Sequence, residues 1–414
     1  MNLLLLGAGA SKAYSESPSG VRMPIARDFF STFEQLEISA NPWVLIDGLL
    51  DFIMEVKGEN PIEFLSKNID IEELYTEIEE NLNLHIGKDA TIDRIRAFKS
   101  YTQLIFIFSA VINEIQNGPI SNPHRLLAKQ LSPCDMVVTF NWDTLMDRAL
   151  SVETEWTTDN GYGFNPKSIY RNEWMAPYEV QGNAPQLVKL HGSVNWLSSH
   201  PMSPKQDIEL TQESAPDTVW VYESTTKPYS CFAGRYMEGY ENFSFGYYPP
   251  NILDDAGKKV KDGYVLVRSR MNLPWVPEGT SSSDGLVSIP LIIPPVKEKN
   301  YHGYGMLFED LWAKAQSGIE QAEHIIVIGY SFPRTDLKSN KLFMDAFLNR
   351  SDIPYVTILD PEPTKIADKF KMELGIPESH LRVIKGYFSE ETDIEELFSP
   401  NKSKHADAAS CAGV

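Results

Sequence analysis

Short apolar runs recur along the chain and alternate with stretches of helical spacing. Residues 3–6 are consecutive leucines stopped by Gly7. Such a run has no polar face, which is the pattern of a strand buried on both sides of a parallel sheet. Similar runs, rich in β-branched residues, stand at 135–140, 186–190, 324–328, 355–359 and 381–384, bounded by turn or polar residues. Between several of them, residues 143–150, 305–322, 338–348 and 364–374 read as helices. This alternation predicts an α/β fold, a doubly wound and mostly parallel sheet flanked by helices.

Two stretches interrupt the alternation. Across 25–118 strand-like runs are absent and apolar residues such as Leu104, Phe108, Val111, Ile112 and Ile115 follow a helical period, which predicts a helical insertion. Across 197–290 the composition shifts to Pro, Gly, Ser, Tyr and Trp, with short alternating pieces at 218–222 and 264–267, which predicts a loop-rich, partly β insertion. Its aromatic residues, from Trp220 and Tyr222 to Tyr247 and Tyr248, form either a small local core or an interface or lid. The core is then expected from 1–24, 119–196 and 291–398, and the polar tail 399–414 is expected to be disordered.

Composition narrows the classes. With 42% hydrophobic and 23% charged residues the chain suits a large packed core. A net charge of -20, from 57 acidic against 37 basic residues, speaks against direct nucleic-acid binding, which needs clustered Lys and Arg on phosphates. Cys134, Cys231 and Cys411 lie far apart with no C-x-x-C spacing, so neither a zinc site nor a disulfide framework is expected. The leucine run lacks a basic lead-in and ends too soon for a signal peptide, and nothing approaches the ~20 apolar residues that span a bilayer. A cytoplasmic protein away from membranes is expected.

Chemistry concentrates where strands end. The first strand runs into Gly7, Ala8, Gly9, Ala10 and Ser11, where a phosphate could approach the backbone if a helix opens there. Lys12 stands where the G-x-G-x-x-G fingerprint has its third glycine, so the loop departs from the usual Rossmann form, and a tight structural turn is its plain alternative. Thr139 and Phe140 lead to Asn141, Trp142 and Asp143, the last of which could equally be a helix N-cap. The strand at 187–190 delivers His191, a base near neutral pH or a structural hydrogen-bonding residue, and none of the 8 histidines makes a metal-like cluster with it. Two further strands end in Gly329, Tyr330 and Ser331 and in Asp360, places for a ribose or phosphate or plain turns. Core packing gives no reason for five strands to carry small or polar residues to one edge.

Taken in order, the segments 7–11, 139–143, 190–193 and 328–331 resemble the sirtuin superfamily, and more narrowly its bacterial sirtuin-like NADase branch of anti-phage defence. Residues 289–295 followed by Trp312 are similar to that branch and unlike the deacylases. The resemblance covers about half the chain, and it implies a Rossmann-like core in which NAD+ is the substrate and no cofactor or metal is needed. It assigns Gly7, Ala8, Gly9 and Ser11 to the pyrophosphate, Asn141 and Asp143 to the nicotinamide ribose or its leaving group, His191 to catalysis, and Gly329 and Ser331 to the adenosine side. Apart from the resemblance, Asp360 at its strand end could accept hydrogen bonds from ribose hydroxyls or be a plain turn residue. The deacylases carry a four-cysteine zinc module after the histidine, where this chain has Cys231 alone, so protein deacylation is disfavoured. The segment Gly20, Val21, Arg22, Met23, Pro24 matches the sirtuin loop Gly-Ile-Pro-x-Phe-Arg only loosely.

Breaking the N-glycosidic bond of NAD+ develops oxocarbenium character, and positively charged nicotinamide leaves without a general acid. An amide at 141 and a base at 191 suffice for hydrolysis. The resemblance further implies a homo-oligomer and a separate regulating protein such as a HerA-type hexameric ATPase. A module that senses NAD or ADP-ribose for a partner, without turnover, is the alternative from another class.

Overall fold

A computed structural model describes residues 1–36, 46–67, 69–85, 92–116, 118–171, 174–180, 182–201, 219–223, 286–294, 306–333 and 336–399. The tail beyond 399, the alternating piece at 264–267 and most aromatic residues of the second insertion lie outside them.

The strands, in chain order, are β1 (Asn2–Leu6), β2 (Met136–Thr139), β3 (Ser168–Tyr170), β4 (Trp174–Met175), β5 (Gln186–Lys189), β6 (Gly192–Pro201), β7 (Trp220–Tyr222), β8 (Leu286–Ile292), β9 (His324–Ile328), β10 (Tyr355–Asp360) and β11 (Leu381–Lys385). Six of them form one sheet in the order β11-β10-β9-β1-β2-β5. Every pairing in it is parallel, with Leu3 aligned to Met136 on one side and Ile325 on the other. The fold is therefore α/β and Rossmann-like.

Numbered along this sheet alone, the order is 3-2-1-4-5-6, with the winding reversing between β1 and β9. Leu3, Leu4 and Leu5 on β1 and Ile325 to Ile328 on β9 are fully buried, because these central strands have helices on both faces. The helix Leu307–Gln321 returns the chain to β9, and its Leu307, Phe308, Leu311, Ala315 and Ile319 face the core. The helix Leu337–Asn349 leads on to β10.

Within 25–118 the described residues form helices that include Ile71–His85 and Ile92–Gln116, and Leu104, Phe108, Val111, Ile112 and Ile115 are buried. Their core also takes in Leu145, Val194 and Ile292 from outside that stretch, so they pack against the sheet region. The buried Arg148 ties the two together: it donates to the carbonyls of Gln116 and Gly118 at 2.8 and 2.6 Å, meeting the negative end of the long helix. A second sheet, in the order β4-β3-β7-β6-β8, has the second insertion entering it at β6 and leaving it at β8. Its short strands β3 and β4 precede that insertion in the chain.

Two local expectations are corrected. The helix expected behind Gly7 is a single turn, Ala8–Ser11: beyond it the backbone tightens to i→i+3 bonds, Ala13 N–H on Ala10 O and Tyr14 N–H on Ser11 O, and leaves the helix. Cys134, expected as a free thiol, is disulfide-bonded. Among the described residues no helix is long and apolar enough to cross a membrane, and no group of three or more His, Cys, Asp or Glu could hold a metal ion.

Candidate functional site

A cavity of about 690 Å³ opens at the C-terminal edge of the parallel sheet, where the loops after β1 and β9 diverge. Open α/β sheets bind ligands at this reversal point, and the volume lies in the ~300–1,000 Å³ range of small-molecule sites. Gly7, Ala8, Gly9 and Ser11 line it, as do Asn141, Asp143 and His191, and Gly329 and Ser331. Of the residues given a role in the site, Asp360 alone is not in its wall. Its carboxylate accepts from the Glu362 backbone N–H at 2.8 Å, a turn that leaves Glu362 lining the cavity, and burial raises the Asp360 carboxyl above its ordinary range.

The glycine loop is shaped by the chain beside it. Gly7 N–H donates to Ile328 O at 3.1 Å and Gly9 N–H to Gly329 O at 3.0 Å, so both donors are engaged by the β9 loop. A Cβ on Gly7 would stand 2.5 Å from Gly329 O, and one on Gly9 2.7 Å from Gly329 Cα. The loop needs glycine because two backbones touch there. The missing third glycine follows from the same geometry: it serves close packing of a helix that here ends at Ser11. Lys12 instead reaches Asp28 at 2.8 Å, at the entry to the helical insertion.

Asn141, Ser11 and Asp143 form one directed hydrogen-bond chain. The Asn141 amide donates to Gly7 O and to Ser11 Oγ, each at 2.8 Å, and Ser11 Oγ donates to Asp143 at 2.5 Å. Gly7 O can only accept, which fixes the amide orientation and leaves Asn141 Oδ1 as its acceptor for a ligand. Asp143 does resemble a cap, since its other oxygen accepts from Leu145 N–H at 3.0 Å. The structural and ligand-facing readings of these residues are therefore not exclusive.

Beneath this chain lies a buried charged layer. Lys189 Nζ donates to Asp143 O at 2.5 Å and pairs with Asp147 at 3.1 Å. Asp147 also accepts from Tyr162 OH, which in turn accepts from Asn195. Burial pushes the Asp147 carboxyl upward and Lys189 opposes the shift, while burial and the Asp147 charge hold Tyr162 well above its ordinary range.

His191 occupies the short link between β5 and β6, where the chain passes from one sheet to the other. The residue is buried at the cavity wall, its ring edge-on to Phe140 at 5.1 Å, and Phe140 stacks on Tyr330 at 4.3 Å and 10°. His191 Nε2 lies 3.6 Å from a carboxylate oxygen of Asp336.

Asp336 and the opposite wall were missed in the sequence. Asp336 caps helix Leu337–Asn349 by accepting from Ser339 N–H at 3.3 Å, and that Asp-x-x-Ser spacing before an apolar period was a readable N-cap signal. The opposite wall comes from the helical insertion, with Phe29, Ile71, Phe108 and Ile112. Helical periodicity marks such residues as buried and says nothing about what they face.

The site and fold define a doubly wound α/β protein with a ligand-sized cavity at the reversal point, walled by a helical insertion. The chain matches no protein-family model, and a search among curated proteins finds no significant match.

Proposed function

We propose that this chain is an NAD+ hydrolase that cleaves the nicotinamide–ribose bond to give nicotinamide and ADP-ribose. The observation that carries the reading is the convergence of Asn141, His191 and the loop 7–11 on one cavity at the reversal point of a Rossmann-like sheet. The carboxamide and histidine supply an acceptor for a ribose hydroxyl and a base for water, and the charge already on nicotinamide makes it a leaving group that needs no acid. Asn141 fills its role with Oδ1, because its N–H groups hold the loop. The wall of Phe29, Phe108 and Ile112 sheds water from the reacting bond. The further reading, carried by the sirtuin-like resemblance, is of a homo-oligomer in anti-phage defence whose activity is controlled by a HerA-type ATPase.

The purified protein incubated with NAD+, with and without a candidate ATPase, is expected to release nicotinamide and ADP-ribose, and His191→Ala to abolish release while leaving the melting temperature within a few degrees. Binding of NAD+ by calorimetry with no product in any combination would replace the hydrolase by a sensing module.

A further inference from the structure

The geometry points to Asp336 as the positioning residue of His191, an inference that rests on reading His191 as the base of NAD+ cleavage. Asp336 is 98% buried, lines the same cavity, and sets a carboxylate oxygen 3.6 Å from His191 Nε2. A buried carboxylate at that distance favours the imidazolium over the neutral ring.

The carboxylate is itself held in place. Its Oδ1 accepts from Ser339 N–H at 3.3 Å, and its backbone carbonyl accepts from Ser339 Oγ at 3.0 Å. The Tyr330 hydroxyl lies 3.3 Å from Oδ2 and 2.8 Å from Ser339 Oγ. Because Tyr330 stacks on Phe140, and Phe140 meets His191 edge-on, one aromatic cluster fixes both partners. A helix cap alone needs one carboxylate oxygen, and here the other turns towards the histidine.

In the reaction the C1′–N bond breaks with its electron pair leaving on nicotinamide. A water oxygen bonds C1′, and the water's proton passes to His191, which then releases it to solvent. Asp336 balances the charge that His191 carries between those events. Among the described residues, the other charged groups facing the cavity are Asp143 from the β2 loop, Arg27, Asp70 and Glu72 from the 25–118 helices, and Glu362 after β10. Lys338, on the same helix as Asp336, has its ammonium 4.7 Å from the Trp312 ring centre.

The test uses Asp336→Asn and Asp336→Ser, both of which keep a capping side chain. The His191 ring signal, assigned by its loss in His191→Gln, is titrated by NMR in the full chain without NAD+. Both variants are expected to lower the His191 pKa, because the carboxylate charge that favours the imidazolium is gone. Turnover of NAD+ is expected to fall about 10-fold or more in kcat, with a smaller change in KM and a shifted acid limb of the pH profile. A His191 titration unchanged in either folded variant would overturn the proposal, even if stability or turnover fell. Absence of NAD+ turnover by the unaltered protein would count against the hydrolase alone, since the titration reads the pair without substrate.

Discussion

Ser11 donates its hydroxyl proton to Asp143 across 2.5 Å, and in doing so joins the loop after β1 to the loop after β2 beneath the cavity. The same oxygen accepts from the Asn141 amide at 2.8 Å, so amide, hydroxyl and carboxylate run in one fixed direction. Ser11 is buried at the cavity wall. The position of Asn141 Oδ1 in the cavity thus depends on a hydroxyl.

Removing that hydroxyl leaves a carboxylate oxygen and an amide hydrogen without their partner. Ser11→Ala is expected to destabilise the fold by about 1–3 kcal/mol in urea unfolding. Asn141→Asp is expected to cost at least as much, because a carboxylate oxygen would then face Gly7 O. A Ser11→Ala variant within about 0.5 kcal/mol of the parent would show that the chain does not hold the loops.

Gly329 and Gly20 both have positive φ, +61° and +71°, but only one is crowded. A Cβ on Gly329 would stand 2.5 Å from Gly9 Cα and from Ala10 N, whereas nothing lies within 4 Å of one on Gly20. Gly20→Ala is expected to cost about 1–2 kcal/mol, the left-handed penalty alone. Gly329→Ala adds a backbone clash that no side-chain rotation relieves, and should lose clearly more stability and distort the cavity. Equal losses by denaturant titration would mean that the two loops do not need their close contact.

Much of the sheet was legible in the sequence because β1 and β9 are short apolar runs rich in leucine, isoleucine and valine, the pattern of strands buried on both faces. Asn141, Asp143, His191 and Ser331 were legible as candidates because each follows such a run. Their hydrogen bonds were not, since Ser11 and Asp143 meet through the register of β1 with β2 and not through spacing. Asp336 was hidden in another way: it performs a familiar capping role, and its second carboxylate oxygen reaches His191 only once the sheet has formed. Short strands such as β3 and β4, of three and two residues, carry no period to read. The roof of the cavity escaped because Phe108 and Ile112 follow the same helical period as buried neighbours that do not line it.

The Lys189–Asp147 pair is fully buried, and a lone member of such a pair is costly. Lys189→Met is expected to destabilise by about 3–5 kcal/mol at neutral pH. In that variant burial raises the Asp147 carboxyl with no ammonium opposing it, so the folded chain retains a proton that the unfolded chain releases. Stability should therefore fall as pH rises above the ordinary carboxylate range, and the deficit should be smaller at pH 4 than at pH 8. Lys189→Met combined with Asp147→Asn keeps an acceptor for Tyr162 and removes the stranded charge. Failure of the double variant to recover a substantial part of the loss would mean that the pair acts through packing and not charge.

Glu79, on the helix Ile71–His85, has its carboxyl raised to about 7, first by burial and then by the neighbouring Glu80. The unfolded chain releases this proton near 4.5 while the folded chain keeps it, so the fold binds more protons across the interval up to about 7. Stability from this group is present in full below 4.5, declines as pH rises, and levels off above about 7. Glu79→Gln carries the neutral form at every pH. It should therefore match the parent near pH 4.5 and exceed it at pH 8, by about 1 kcal/mol once solvent screening of a part-exposed group is allowed for. Thermal melts at the two pH values check this directly: a gain at pH 4.5 equal to that at pH 8 would assign the effect to helix propensity instead of charge burial.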